Sequence, residues 1–249
     1  MASKNVMQKY AKLAVRIGAN VQPGQLLVVT SSVTNYEFVR MCVKEAYEAG
    51  AGDVVVNWSD EQLALMSYTY CSLETLTEFP QWTYDKQAWA QEKGCCFLHI
   101  TSSTPGLMKD VDPEKMQAVQ IAGSTKYAPL QKYTMNNDGQ WSIVALPSAG
   151  WAKKVFPELP EDEAMEKLMD AILMSVRISA NNDPVAEWNA HNQRMAEHSR
   201  KLNEYDFKAL HFTNALGTDL TVGLVENHIW AGGGEHANNG VFFNPNMPT

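Results

Sequence analysis

The sequence has little charge and no long hydrophobic segment. Charged residues make up 19% of its 249 residues, and 28 acidic against 20 basic residues give a formal net charge of −8. No cluster of basic residues offsets this acidity, so the chain is poorly suited to bind the phosphate backbone of a nucleic acid. The longest apolar runs, such as 26–29 and 54–56, are long enough only for strands, which excludes a membrane partner through a spanning helix.

Signals of secretion and of disulfide bonding are also missing. The N-terminal residues show neither the apolar core nor the cleavage site of a signal peptide, so we expect none. The four cysteines, Cys42, Cys71, Cys95 and Cys96, form no CxxC pair, and two of them are adjacent. Adjacent cysteines suit neither a chelated metal nor an easy intrachain disulfide. We therefore expect four reduced thiols that pack mostly as small hydrophobic side chains.

Standard catalytic and nucleotide-binding motifs are absent. The turn after the first predicted strand, 31–35, has no glycine, and the Gly232–Gly234 triplet lacks the strand–turn–helix setting of a phosphate-binding loop. The sequence contains no HExxH, HxxEH or GxSxG pattern. These absences exclude a standard nucleotide fingerprint, and the residues alone show no complete catalytic constellation.

The histidines are scattered without the spacing of a metal site. His191 and His198 share one face of a predicted helix but lie two turns apart, about 10 Å along its axis, which is too far for one metal ion. We interpret both as exposed or capping residues. His99 lies inside an apolar strand and is interpreted as a core histidine with satisfied hydrogen bonds. His228 and His236 flank the glycine-rich loop, but their spacing alone does not establish a shared site.

Strand and helix signals alternate over the first 180 residues. Buried strands are predicted at 25–30, 53–58, 95–101 and 141–146, with helical periodicity between them. The unit from 25 to 58 has the length that a right-handed parallel crossover needs. We therefore predict an α/β fold, with a mostly parallel sheet and helices on both faces.

The pattern changes at the turn-rich stretch 181–184, which we interpret as a domain boundary. The predicted domains are 1–182, an N-terminal α/β domain, and 183–249, the start of a second, incomplete α+β domain. The second part offers one helix, a glycine-rich loop at 232–240, and short strands at 210–213, 219–225 and 229–230. Because so few elements cannot bury a core of their own, either they pack on the first domain or the chain is the front part of a longer protein.

Five stretches, taken in order, resemble the M29 family of metal-dependent aminopeptidases, the aminopeptidase T and aminopeptidase S group. They are YAKLAVRIG at 10–18, EAYEAGA at 45–51, DPVAEW at 183–188, GTDLTVGL at 217–224 and NMPT at 246–249. Each stretch alone is a weak signal, but the five in order cover essentially the whole chain. On this basis we identify the chain as the N-terminal portion of such an enzyme.

The resemblance implies a cytoplasmic, homodimeric enzyme that releases N-terminal amino acids from peptide substrates. It also implies two divalent metal ions, of the zinc, cobalt or manganese type, held in the second domain by Glu, His and Asp side chains. In the family motif the first metal ligand is a glutamate directly after the Pro-Thr pair, and this chain stops at Thr249.

We therefore expect that this chain contains no catalytic residue and no metal ligand. No metal ion should bind to it, and it should be inactive alone. Only Asn246 and Thr249 are candidates for the rim of the active site, because the resemblance places them beside the metal centre.

Two alternatives remain. A naturally short, non-catalytic protein would use the α/β domain as a binding or dimerisation module, although an end without a closing helix or strand favours the enzyme fragment. A small-ligand-binding α/β protein would instead use the carboxyl edge of the sheet, and it predicts a closed pocket with a bound anion near 31–35.

Overall fold

A four-stranded parallel sheet forms the centre of the computed structural model, which describes residues 3–248. The spatial order is β2-β1-β3-β4, so the first strand lies between the second and the third. The strands are β1 (Leu26–Ser32), β2 (Asp53–Ser59), β3 (Cys96–Thr101) and β4 (Trp141–Ala145). The predicted parallel sheet is confirmed, with boundaries shifted by no more than two residues.

Helices connect and follow these strands. Within residues 3–248 they are α1 (Lys4–Leu13), α2 (Tyr36–Glu48), α3 (Glu61–Tyr70), α4 (Leu73–Thr77), α5 (Gln81–Glu92), α6 (Pro113–Met135), α7 (Ala149–Val155), α8 (Glu161–Ser175) and α9 (Pro184–Tyr205). The first helix continues into a π-helical turn, Ala14–Gly18. Among the described residues no helix combines the length and the apolar character that a membrane span requires.

The helices cover both faces of the sheet, as predicted. On one face, α1, α2 and α8 pack on Leu27, Val29 and Leu98 to form the main core. On the other face, Ala90 of α5 packs with Val28 and Phe97 in a smaller second cluster. Because side chains alternate along a strand, β1 and β3 contribute to both clusters.

The residues after 183 partly pack on this α/β unit. Trp188 of α9 is fully buried and belongs to the main core. Beyond α9, β5 (Ala209–Thr213) and β6 (Asp219–Gly223) form an antiparallel hairpin whose side chains are mostly exposed. The domain boundary at 182/183 stays a prediction.

Two sequence predictions in this region are wrong. Residues 235–236 and 242–243 pair as β7 (Glu235–His236) and β8 (Phe242–Phe243), so the glycine-rich stretch is not wholly a loop. Residues 229–230 form no strand. The side chain of Asn203 bonds to both the backbone N–H (2.7 Å) and the backbone carbonyl (2.9 Å) of Trp230, and so occupies the groups that a neighbouring strand would use.

Candidate functional site

The predicted rim residue Asn246 lies in a short stretch, residues 244–247, that extends the sheet beside β4. Ile143 N donates to the Pro245 carbonyl at 2.8 Å, and Met247 N donates to the Ile143 carbonyl at 3.0 Å. This pattern is a parallel bridge between Ile143 and Asn246. The 244–247 segment therefore lies as a fifth parallel element at this edge of the sheet.

Asn244 anchors the 244–247 segment and is fully buried. Its backbone N–H donates to the Gly18 carbonyl at 3.0 Å, and its own carbonyl accepts from Ser142 Oγ at 2.8 Å. Its side-chain amide pairs with that of Asn192 on α9 at 2.9 and 3.0 Å. These bonds give its buried polar groups the partners that burial demands.

Gly18 allows the end of the π-helical turn to approach this segment closely. A Cβ atom at Gly18 would lie 2.7 Å from Ser142 Oγ and 2.9 Å from Met247 Sδ. Met247 is itself buried in the main core. The π-helical turn, β4 and the 244–247 segment therefore pack so closely that there is no room for a side chain at position 18.

Asn246 is the exposed residue of the segment, whereas Asn244 and Met247 on either side of it are buried. Its side chain is thus presented at the surface from a backbone that is hydrogen-bonded to β4. Thr249, the other predicted rim residue, lies outside the described residues.

The described residues do not fit a two-metal centre. Over residues 3–248, no group of three or more His, Cys, Asp or Glu side chains could hold a metal ion. His228 and His236, considered above as possible neighbours, pack on different aromatic rings, those of Trp230 and Phe242. No chemical step can therefore be assigned to metal bound by these residues.

The interpretation of His191 as exposed or capping is wrong. Its side chain is buried, and its ring lies edge-on to Trp188 with the centroids 5.3 Å apart. Trp188 and His191 are three residues apart, so both lie on the face of α9 that packs against the α/β unit. His198, two turns from His191, is exposed as predicted.

The residues near 31–35, where an anion pocket is the alternative prediction, bond to one another. Asn35 Nδ2 donates to Ser102 Oγ at 2.8 Å and approaches Ser31 Oγ at 3.3 Å. The hydroxyls of Ser32 and Thr34 are 2.8 Å apart. These groups thus have partners within the protein, and an anion site here stays a prediction.

The cysteines match their predicted role as reduced, packed thiols. All four are free, and Cys42, Cys95 and Cys96 are buried, whereas Cys71 is half-buried. Burial raises the pKa of the Cys95 thiol from its ordinary value of 9.0 to about 12. Such thiols are neutral at pH 7 and act as small hydrophobic groups.

His99 differs from its prediction as a satisfied core histidine. Its ring stacks on Phe97 with the centroids 6.0 Å apart, but no residue in the described range 3–248 hydrogen-bonds to its nitrogens. The ring borders a cavity of about 400 Å³. Burial lowers the pKa of His99, which favours the neutral imidazole.

Comparison with known proteins gives a consistent set of relatives. A family model described as thermophilic metalloprotease (M29) matches residues 3–249. Aminopeptidase AmpS of Bacillus subtilis is 39% identical over 243 residues, which are 98% of this chain and 59% of that protein. Aminopeptidase T of Thermus thermophilus is 37% identical over 248 residues, which are 100% of this chain and 60% of that protein.

A solved structure matches the fold over the same length. Wild-type AmpT from Thermus thermophilus has a TM-score of 0.90 and 36% sequence identity, covering 100% of this chain and 60% of its own. The chain thus spans about 60% of the length of the relatives that it matches.

Proposed function

The chain belongs to the M29 family of thermophilic metalloproteases, and from this premise we propose that it is the α/β portion of an aminopeptidase that releases N-terminal amino acids from peptides. The observation that carries the proposal is the match of the whole chain to AmpT from Thermus thermophilus, at a TM-score of 0.90. Relatives named as aminopeptidases in Bacillus subtilis and Thermus thermophilus support the same activity.

The proposed cofactors are two divalent metal ions of the zinc, cobalt or manganese type. The description of the family as metalloproteases supports the use of a metal. Because residues 3–248 assemble no set of ligands, we propose that the ligands belong to the part of the relatives that this chain does not match. The polypeptide of residues 1–249 is then inactive alone. A cytoplasmic homodimer acting on peptides is part of the same proposal and rests on the family resemblance.

Within this chain we propose Asn246 as a residue at the rim of the active site. Its side chain is exposed, and its neighbours are fixed to β4 by the hydrogen bonds of Ile143. An amide held in this way can contact a bound peptide without rearrangement of the sheet. From the family resemblance alone, we propose Thr249 as a second rim residue.

A chimeric enzyme tests the proposed activity. Residues 1–249 are joined to the part of Thermus thermophilus aminopeptidase T that the chain does not match. We expect the chimera to release amino acids from a peptide with a free N-terminus and to leave the N-acetylated peptide intact. A chelator should abolish this release, and added divalent metal should restore it. A folded, metal-loaded chimera without activity contradicts the proposal and favours a non-catalytic binding module.

The same chimera tests the rim residue. Asn246→Ala should lower kcat/KM by about tenfold, which corresponds to the loss of about one hydrogen bond to the substrate. The bound metal should not change. Asn189→Ala, at an exposed position on α9, is the matched control and should leave kcat/KM unchanged. Equal effects of the two substitutions on kcat/KM would show that Asn246 is not part of the active site.

A further inference from the structure

A row of polar side chains crosses the sheet near the carboxyl ends of its first three strands. Thr30 of β1 pairs in register with Asn57 of β2 and with His99 of β3. Residues in register on neighbouring parallel strands point to the same face, here the face of the second cluster. On that face the strands otherwise carry apolar residues such as Val28 and Phe97. The row is thus a polar break in an apolar surface.

This row lines the cavity of about 400 Å³ noted beside His99. The opposite wall is α5, which contributes Trp82, Lys86 and Trp89. Further back along the strands, Ala90 of the same helix packs in the second cluster and closes the space. The cavity therefore lies between the sheet and α5, and its volume is within the range of small-molecule sites.

The polar side chains of the row can make more hydrogen bonds than they make within the protein. Among residues 3–248, neither the Thr30 hydroxyl nor the His99 ring nitrogens have a hydrogen-bond partner, although both residues are half-buried. Lys86 Nζ donates to Asn57 Oδ1 at 2.5 Å, which leaves the Asn57 NH₂ group and the other ammonium protons available. A ligand that enters the cavity can therefore hydrogen-bond to these groups without breaking a bond within the protein.

The charge and the aromatic content of the lining define the chemistry of such a ligand. Lys86 is the cation among the described lining residues, and no Asp or Glu is among them. Trp82 and Trp89 on α5 are 67% and 45% exposed and offer flat apolar surfaces. The lining therefore fits a molecule with a flat ring and a negative group, and it contains no carboxylate to balance the charge of an ammonium group.

The row of polar side chains lies beside the topological switch point of the sheet. The helix after β1, α2, packs in the main core on one face, whereas Tyr133 of α6, the helix after β3, packs with the second cluster on the other. The chain thus leaves β1 and β3 in opposite directions, which makes this pair the switch point of the sheet. Ligands of open parallel sheets commonly bind outside the carboxyl ends of the strands at such switch points. This cavity lies instead on one face of the sheet, under α5, and it borders the switch point through Thr30 and His99.

We propose that this cavity is a binding site for a small aromatic carboxylate. The ring packs against Trp82 and Trp89, and the carboxylate accepts from Lys86, Asn57 and Thr30. The site is independent of the proposed peptidase activity, because none of its residues belongs to the 244–247 segment or to a metal centre. The proposed site includes His99 and Thr30, whose polar side chains have no hydrogen-bond partner among the described residues.

Titration with 2-naphthoate tests the proposal, followed by tryptophan fluorescence and by calorimetry. The comparison ligand is 2-naphthylmethylamine, which keeps the ring and reverses the charge. Lys86→Gln removes the cation from an exposed helix position, so the variant should fold normally, and its thermal melt checks this. The matched control is Lys93→Gln, which removes the same charge from the exposed end of α5 outside the cavity lining.

We expect saturable binding of 2-naphthoate. Lys86→Gln should weaken this binding about tenfold, because the variant loses a hydrogen bond to a charged group. Thr30→Val should weaken it less, and Lys93→Gln should not change it. The amine should not bind at the same concentrations. The proposal is overturned if 2-naphthoate does not saturate, if the amine binds equally well, or if Lys86→Gln leaves the affinity unchanged.

Discussion

The side-chain amides of Asn192 and Asn244 pair across 52 residues of sequence, with N···O separations of 2.9 and 3.0 Å. One lies on α9 and the other in the 244–247 segment, which in turn bonds to β4. This pair thus joins the helix after the predicted domain boundary to the edge of the parallel sheet. It also fixes the backbone that presents Asn246.

Asn244→Ala should therefore lower the free energy of unfolding by about 1–3 kcal/mol, because the Asn192 amide loses its partner in a buried site. Urea denaturation measures the difference. Asn189→Ala, at an exposed position on the same helix, should change stability by less than about 0.5 kcal/mol. Equal stability of the two variants would show that the amide pair contributes nothing.

Gly18→Ala should destabilise the protein by about 1–3 kcal/mol through overpacking. The new methyl group would meet Ser142 Oγ and Met247 Sδ at distances below 3.0 Å. Gly223→Ala is the matched control, since a Cβ atom there would meet nothing within 4 Å. Differential scanning calorimetry of both variants checks the prediction. A Gly18→Ala protein that melts like the Gly223→Ala protein would contradict the close packing of these elements.

Buried thiols should make the protein less stable at high pH. Burial raises the pKa of Cys95 to about 12 from an ordinary value of 9.0. The unfolded chain therefore loses this proton first, so the stabilisation is complete below pH 9 and is lost as the pH rises from 9 toward 12. The free energy of unfolding should fall as the pH is raised from 8 to 11, and it should fall less steeply in Cys95→Ala. Identical slopes for the two proteins would contradict the assigned burial of the thiol.

The parallel sheet was predictable because its strands are short, continuous apolar runs that are buried on both faces. No apolar periodicity in residues 61–77 predicts α3 and α4, which contain no buried residue. A helix without a buried face leaves no apolar stripe, so periodicity could not reveal it. The false strand at 229–230 has a similar cause, because its two apolar residues carry no information about the bonds from Asn203.

The candidate site was less predictable than the fold. Asn246 followed from a family resemblance, whereas the pairing of Asn192 with Asn244 depends on contacts between distant parts of the chain. The row of Thr30, Asn57 and His99 depends on strand register. A pattern within one strand shows that a polar residue interrupts an apolar run, but it cannot show that neighbouring strands place their polar residues beside it.

Metal content separates the proposed function from its alternatives most sharply. The polypeptide of residues 1–249 and the aminopeptidase T chimera are dialysed against zinc, cobalt or manganese, and the metal per chain and the release of amino acids are measured. We expect two metal ions and peptidase activity in the chimera, and neither in the polypeptide alone. A polypeptide of residues 1–249 that binds two metal ions and cleaves peptides alone, or a folded chimera that binds none, would contradict the assignment.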